Sequence, residues 1–306
     1  MRVLVTGATG FVGREVLRQL HDAGQGIRML VRHRASAAAR DAVRRYGVEL
    51  QPGDVTEAAS LHGAAIGVQA VIHLVGIISE AGRSTFENVH LEGTRNIVAA
   101  AREAGVRRFL QMSALGTRPN AASRYHQTKW AAEQLVRQSG LDFTLFRPSL
   151  IYGPDDEFIN LFANIVRYSP VVPLLANPRA RFQPVPVEAV AAAFVGSLTE
   201  PESLGQTYDL CGGETLTLRQ IVSCIQDVLG KRRLMLPVPL PIARLQALFL
   251  ELLFRRLLRR PAPLNRDQVI MLQEDNVGDP RPANDLFQLQ PVPLSEGIAR
   301  YLGNDD

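Results

Sequence analysis

Short apolar runs alternate with longer stretches of helical periodicity through the first half of the chain. Val3 to Val5, Ile27 to Val31, Val71 to Leu74, Phe109 to Met112 and Phe143 to Phe146 read as strands, and helix-length segments begin near Phe11, Ser36, Thr56, Thr85 and Tyr125. This is the rhythm of βαβ units, whose right-handed crossovers build a parallel sheet covered by helices on both faces. The pattern predicts an α/β fold, a Rossmann-type doubly wound parallel sheet over residues 1–150. After Pro148 the alternation stops and prolines become frequent, with helical stretches near Glu157 to Tyr168, Val187 to Thr199 and Thr217 to Leu229. Residues 151–306 are expected to form a smaller mixed α/β, mainly helical region over the carboxyl end of the sheet, where open α/β sheets place their ligand crevice. That region is expected to supply the substrate or partner surface. The boundary is approximate, and the chain is free to cross between the halves.

Composition changes this picture little. With 306 residues, 46% hydrophobic and 21% charged, the chain buries a full core, and disorder is not the default. Cys211 and Cys224 form no CxxC pair and have no histidine cluster nearby, so neither a metal site nor a disulfide framework is expected, and a reducing cytoplasm fits best. No export signal is visible at the N-terminus. Charge is more informative: eight basic residues between Lys231 and Arg260 face the single acid Glu251, a local charge of +7 within a net +4. Such asymmetry suits a membrane surface or an acidic partner; a nucleic-acid partner is not adopted.

The strand–loop–helix opening carries the first candidate chemistry. Val3 to Gly13 reads VLVTGATGFVG, with glycines at Gly7, Gly10 and Gly13. Gly7 serves the tight turn, Gly10 close approach to a pyrophosphate, and Gly13 packing of helix on strand, while Thr9, Phe11 and Val12 complete the loop and first turn. The free N–H groups of the helix then face the phosphates. About 20 residues beyond the glycines an NAD site usually carries an acid. Here Val31-Arg32-His33-Arg34 stands there, and no acid occurs between Asp22 and Asp41. Arg32 and Arg34 suit a 2′-phosphate, so NADP(H) is favoured over NAD(H). Asp54 and Val55, after the third strand, are placed at the adenine edge, with a helix cap as the alternative for Asp54. Leu74, Val75 and Gly76 end the next strand beside the cofactor.

Tyr125 and Lys129 are four residues apart, hence on one face of a helix. A lysine so placed holds the nicotinamide ribose and favours the tyrosinate, letting the tyrosine exchange a proton with a substrate oxygen. Ser113, ending the fifth strand, is placed to donate to the same oxygen. Lys129 is one of only two lysines against thirty-two arginines. The pair is also compatible with holding cofactor without turnover.

Together TGATGFVG, Ser113, YHQTK at Tyr125 and LFRPS at Leu145 resemble the extended, atypical short-chain dehydrogenase/reductase superfamily. In the second half, RPSLIYGPDDEFINLFA from Arg147, PVPVEAV from Pro184, LPVPLPIARLQALF from Leu236 and NRDQV from Asn265 resemble the nucleotide-binding accessory subunit of respiratory complex I and its bacterial relatives. The resemblance implies an NADPH site lined by Gly7, Gly10, Gly13, Arg32, Tyr125, Lys129 and Pro148, and an assembly or quinone-linked role. His90 stands where many extended reductases and epimerases have asparagine, which weakens a nucleotide-sugar epimerase or dehydratase reading; a buried packing histidine is the expectation there.

From Ile242 to Leu258, Leu245, Leu248, Phe249, Leu252, Phe254, Leu257 and Leu258 recur at near-helical spacing, with Arg255, Arg256, Arg259 and Arg260 toward one end. Polar interruptions exclude a transmembrane span. A helix in a membrane interface and a core-packed or dimer helix both fit residues 240–260. Two functions follow: an NADPH-dependent oxidoreductase acting on a hydrophobic carbonyl or quinone, or an NADPH-stabilised accessory protein at a membrane complex. The expected location is cytoplasmic, with peripheral contact at the inner face of the membrane.

Overall fold

The computed structural model describes residues 1–175, 177–254, 262 and 264–303. Arg255, Arg256, Leu257, Leu258, Arg259 and Arg260 therefore lie outside the described residues.

Seven parallel strands form one sheet: β1 (Arg2–Thr6), β2 (Gly26–Val31), β3 (Glu49–Pro52), β4 (Ala70–His73), β5 (Arg108–Met112), β6 (Asp142–Pro148) and β11 (Gln206–Leu210). Their order is β11-β6-β5-β4-β1-β2-β3. The order reverses between β1 and β4, which opens a ligand crevice at the carboxyl ends of those two strands. This is the doubly wound Rossmann-type α/β architecture. Alternation within the strands divides the core. Val3 and Val5 face a layer with Val16 and Leu20 of α1 (Phe11–Asp22), while Leu4 faces the layer holding Ile97 of α3 (Gly93–Glu103) and Val136 of α4 (Arg124–Arg137).

The intervening helix α2 (Ala37–Tyr46) starts where the Ser36 hydroxyl accepts the Ala39 amide. The helix expected from Thr56 is reduced to a single 3-10 turn, Ala58–Leu61. Asp54 and Ser60 bind nearby turn groups, and Gly63 and Gly67 adopt positive φ, so the backbone cannot propagate. The helix expected from Thr85 begins as a wide turn, Glu87–Glu92, before α3.

Beyond β6 the chain leaves the sheet through β7 (Ile151–Tyr152), α5 (Phe158–Tyr168), β8 (Val171–Leu174), β9 (Arg181–Phe182) and β10 (Val185–Pro186). It then returns: α6 (Val187–Gly196) brings Val190, Ala191 and Phe194 into the layer over α1, and β11 pairs with β6. The remaining elements are β12 (Leu216–Thr217), α7 (Leu218–Val228), β13 (Leu234–Pro237), α8 (Leu240–Leu253), α9 (Arg266–Met271), α10 (Arg281–Phe287) and α11 (Leu294–Leu302). A second core joins α5, α7 and α11, and a small third one lies under α8 and α9.

Candidate active site

The glycine loop is closed by its own backbone. Gly7 adopts φ +74°, and its carbonyl accepts the Gly10 amide at 3.0 Å. A Cβ on Gly13 would stand 2.3 Å from that carbonyl oxygen and 2.6 Å from Ala8 Cα, so helix and strand meet at a distance only glycine permits. A Cβ on Gly7 would touch the backbone of Leu74 and Val75 at 3.0 Å, which seats the loop against the end of β4. No side chain caps α1, and its first turn, Phe11 to Gly13, holds no acid. Thr9 and Gly10 are exposed, Phe11 is half-buried and Val12 is buried. An uncapped helix start with its N–H groups facing the switch point fits a diphosphate.

At the end of β2, Arg32 is exposed and forms no ion pair with any described residue, while Arg34 donates one N–H to the Leu50 carbonyl at 3.0 Å. Asp54 holds a turn: its carboxylate accepts from the Thr56 amide and hydroxyl at 2.9 and 2.8 Å. The Val55 side chain is buried against Gly93, and its carbonyl accepts from Asn96. An open groove of about 990 Å³ between α1 and α2 reaches the loop at Thr9 and Phe11 but is not lined by Gly76, Tyr125 or Lys129.

The second half of the site is built on α4. Ser123 caps this helix through the His126 amide, and the Asp267 carboxylate of α9 accepts the Arg124 and Tyr125 amides at 3.2 and 2.8 Å. Tyr125 meets His90 edge-on at 5.2 Å and Phe86 at 5.9 Å. Burial pushes the Tyr125 hydroxyl up to about 12. Lys129 is 2% exposed. Its Nζ donates to the Met112 carbonyl at 3.1 Å and lies 6.0 Å from the Tyr125 ring centroid. Burial lowers this ammonium to about 8, opposed by the charge of Glu133. A Cβ on Gly76 would come within 3.0 Å of Lys129 Nζ, so glycine there leaves the ammonium its place. Lys129 and His90 thus meet Gly76 just beyond the carboxyl end of β4, with the Tyr125 ring beside both, next to the strand that feeds the glycine loop.

His90 is buried and joins the two parts. The Ile77 amide donates to Nε2 at 3.1 Å, and Nδ1 lies 2.9 Å from the Thr128 hydroxyl. Burial drives its pKa down to about 2, with the Lys129 charge acting in the same direction, so the ring stays neutral. It positions Tyr125 and the loop after β4.

Ser113 follows Met112, whose carbonyl accepts from Lys129 Nζ. Its hydroxyl donates to Glu133 Oε1 at 2.5 Å. Glu133 is 0% exposed and takes a bidentate contact from Arg147, at 2.8 and 2.6 Å. Pro148 is buried at the end of β6, where its carbonyl accepts the Leu115 amide at 2.9 Å. Sequence reasoning passed over Glu133, Arg147 and Asp267. Only Glu133 carries a local signal, an acid one turn beyond Lys129; Asp267 meets α4 across 142 residues.

A family model described as NAD(P)H-binding matches residues 7–201. Over 278 residues the chain is 29% identical to NADH dehydrogenase (ubiquinone) 1 alpha subcomplex subunit 9, mitochondrial, of Arabidopsis thaliana, covering 89% of this chain and 68% of that protein. Over 204 residues it is 37% identical to the ceramide reductase of Caulobacter vibrioides, covering 65% of this chain and 61% of that one. In fold it is similar to the UDP-glucose 4-epimerase of Thermus thermophilus in complex with NAD, with a TM-score of 0.75, 21% identity and 100% of both chains covered.

Proposed function

We propose, from the premise that this chain belongs to the NAD(P)H-binding family, that it is an NADPH-dependent oxidoreductase acting on a hydrophobic carbonyl or quinone. The observation that carries this reading is the buried Lys129, which meets Gly76 and lies beside the Tyr125 ring, next to the uncapped start of α1. The α1 amides and glycine loop would hold the diphosphate, Arg32 and Arg34 the 2′-phosphate, and Lys129 the nicotinamide ribose. The bound nicotinamide supplies the hydride. At neutral pH Tyr125 keeps its proton and would give it to a substrate oxygen. The adjacent Lys129 ammonium favours the phenolate left behind. Ser113, whose hydroxyl donates to Glu133, would orient the substrate oxygen only by turning that proton toward it. A hydrophobic substrate is supported by a relative named for reduction of ceramide. A quinone is supported by the relative whose name includes ubiquinone.

A second reading, a non-catalytic accessory protein held together by NADPH, is favoured by the Ser113 proton being engaged by the buried Glu133. Tyr125→Phe separates the two. The enzyme loses about 10²- to 10⁴-fold in NADPH oxidation with decyl-ubiquinone or a long-chain ketone while still binding nucleotide. An accessory protein oxidises no NADPH in either form. For the cofactor, fluorescence titration should show NADPH bound at least about tenfold more tightly than NADH, with Arg32→Ala removing the difference. Equal affinities in the wild type would refute the NADP assignment.

A further inference from the structure

Helix α8 is attached to the body by its smallest side chains. Ala243 and Ala247 are 0% exposed and pack with Leu240, Leu264 and Val269. Its large apolar residues point the other way: Ile242, Leu245, Phe249 and Leu252 are 57%, 68%, 63% and 46% exposed. At about 100° per residue their spacing of three, four and three keeps them within an arc of roughly 80°, opposite the alanines. Strand β13 exposes Leu234 and Leu236 just before the helix. Exposed apolar residues are normally scattered singly, and a continuous stripe marks a surface that something covers.

Charge selects what covers it. Eight bases and one acid lie between Lys231 and Arg260 in sequence; of the four bases among the described residues, Arg232 is paired with Asp227 at 2.8 Å, and Lys231, Arg233 and Arg244 have no acidic partner among the described residues. The acid, Glu251, is compensated by Arg266, whose Nε lies 2.8 Å from Oε2. Lys231 and Arg233 donate to the main-chain carbonyls of Arg167 and Val166, contacts that leave their positive charge uncancelled. Arg244 is exposed on α8 itself and forms no ion pair with any described residue. A second copy of the chain laid on this face would bring one basic segment against another. A negatively charged apolar surface meets both requirements. Among the described residues no helix is long and apolar enough to cross a membrane, and the 14 residues of α8 span about 21 Å, a length that suits lying along a bilayer.

We infer that α8, through Ile242, Leu245, Phe249 and Leu252, seats this protein in the interface of an anionic phospholipid bilayer. The seat adjoins the candidate site. α8 packs on α9, whose Asp267 caps the Tyr125 end of α4, while Asn265 donates to the Ile78 carbonyl two residues after Gly76. The docking stands independently of the redox reading, since it uses none of the residues placed at the nucleotide.

The test is co-sedimentation of the full chain with phosphatidylcholine vesicles, with and without about 30 mol % phosphatidylglycerol. Binding is expected on the anionic vesicles, weakened by high salt and reduced about tenfold or more by Leu245→Ser with Phe249→Ser. Both positions are exposed, so melting temperature and NADPH affinity should not move; Leu245→Gln alone serves if the double variant misfolds. Absence of wild-type binding to anionic vesicles overturns the inference, as does equal binding by wild type and variant. So does a concentration-dependent dimer that the double variant abolishes, which would make the face an interface between copies. Loss of NADPH affinity in the wild type would count against the proposed function and leave the docking result intact.

Discussion

Helix α1 buries Val12, Val16, Leu17 and Leu20 and turns Arg14 and Arg18 to solvent, whereas α8 buries two alanines and turns isoleucine, leucine and phenylalanine outward. Both are helices with an apolar periodicity. On α1 the stripe meets the β-sheet and α6; on α8 the stripe has no partner within the described chain, and what touches the body is the alanine face. The difference teaches that periodicity locates a helix and an apolar face, while the neighbouring element decides whether that face is core or surface.

The comparison can be broken most decisively at the well-packed end. Leu20→Ala should cost about 2–5 kcal/mol in denaturant unfolding, because Leu20 is fully enclosed between α1 and the sheet. A loss under about 1 kcal/mol would mean that the two helices are not packed so differently. Next comes Ala247→Leu, where enlarging the buried face of α8 should destabilise by about 1–3 kcal/mol. If it stabilises instead, the contact face of α8 is wrongly assigned.

Lys129 sharpens the comparison from the site between the two regions. Its ammonium is lowered from 10.5 to about 8 by burial, so between those pH values the unfolded chain holds a proton that the folded chain has released. Stability should therefore rise with pH across that window, by at most about 1.4 kcal/mol per unit, and the deficit should be complete below pH 8. Thermal melts of wild type against Lys129→Met isolate this rise, which the variant should lack. The smallest effect is expected on the outer stripe. Leu245→Ser should change stability by no more than about 0.5 kcal/mol, and a larger loss would show that the stripe is covered within the chain itself.

Much of the fold was legible because its signals are local. The short apolar runs and the Gly7–Gly10–Gly13 spacing act within a dozen residues, and the strands and helices they imply are present in β1, α1 and β2. The same holds for Tyr125 and Lys129, which share a helix face by periodicity alone. The segment from Thr56 failed as a helix because Asp54 and Ser60 compete for its first backbone groups. The return of α6 and β11 to the first core was not visible, since pairing β11 with β6 depends on a contact some sixty residues apart.

By itself the sequence determined the parallel βαβ order, the glycine cradle and the one-turn spacing of tyrosine and lysine, because backbone sterics and helical period act on neighbouring residues. Tertiary structure alone decided that Ser113 and Arg147 both donate to Glu133, that Asp267 caps the helix bearing Tyr125, and that α8 shows its leucines to the outside. Each of these joins groups far apart in the chain, where desolvation and hydrogen-bond geometry, rather than local pattern, select the partner.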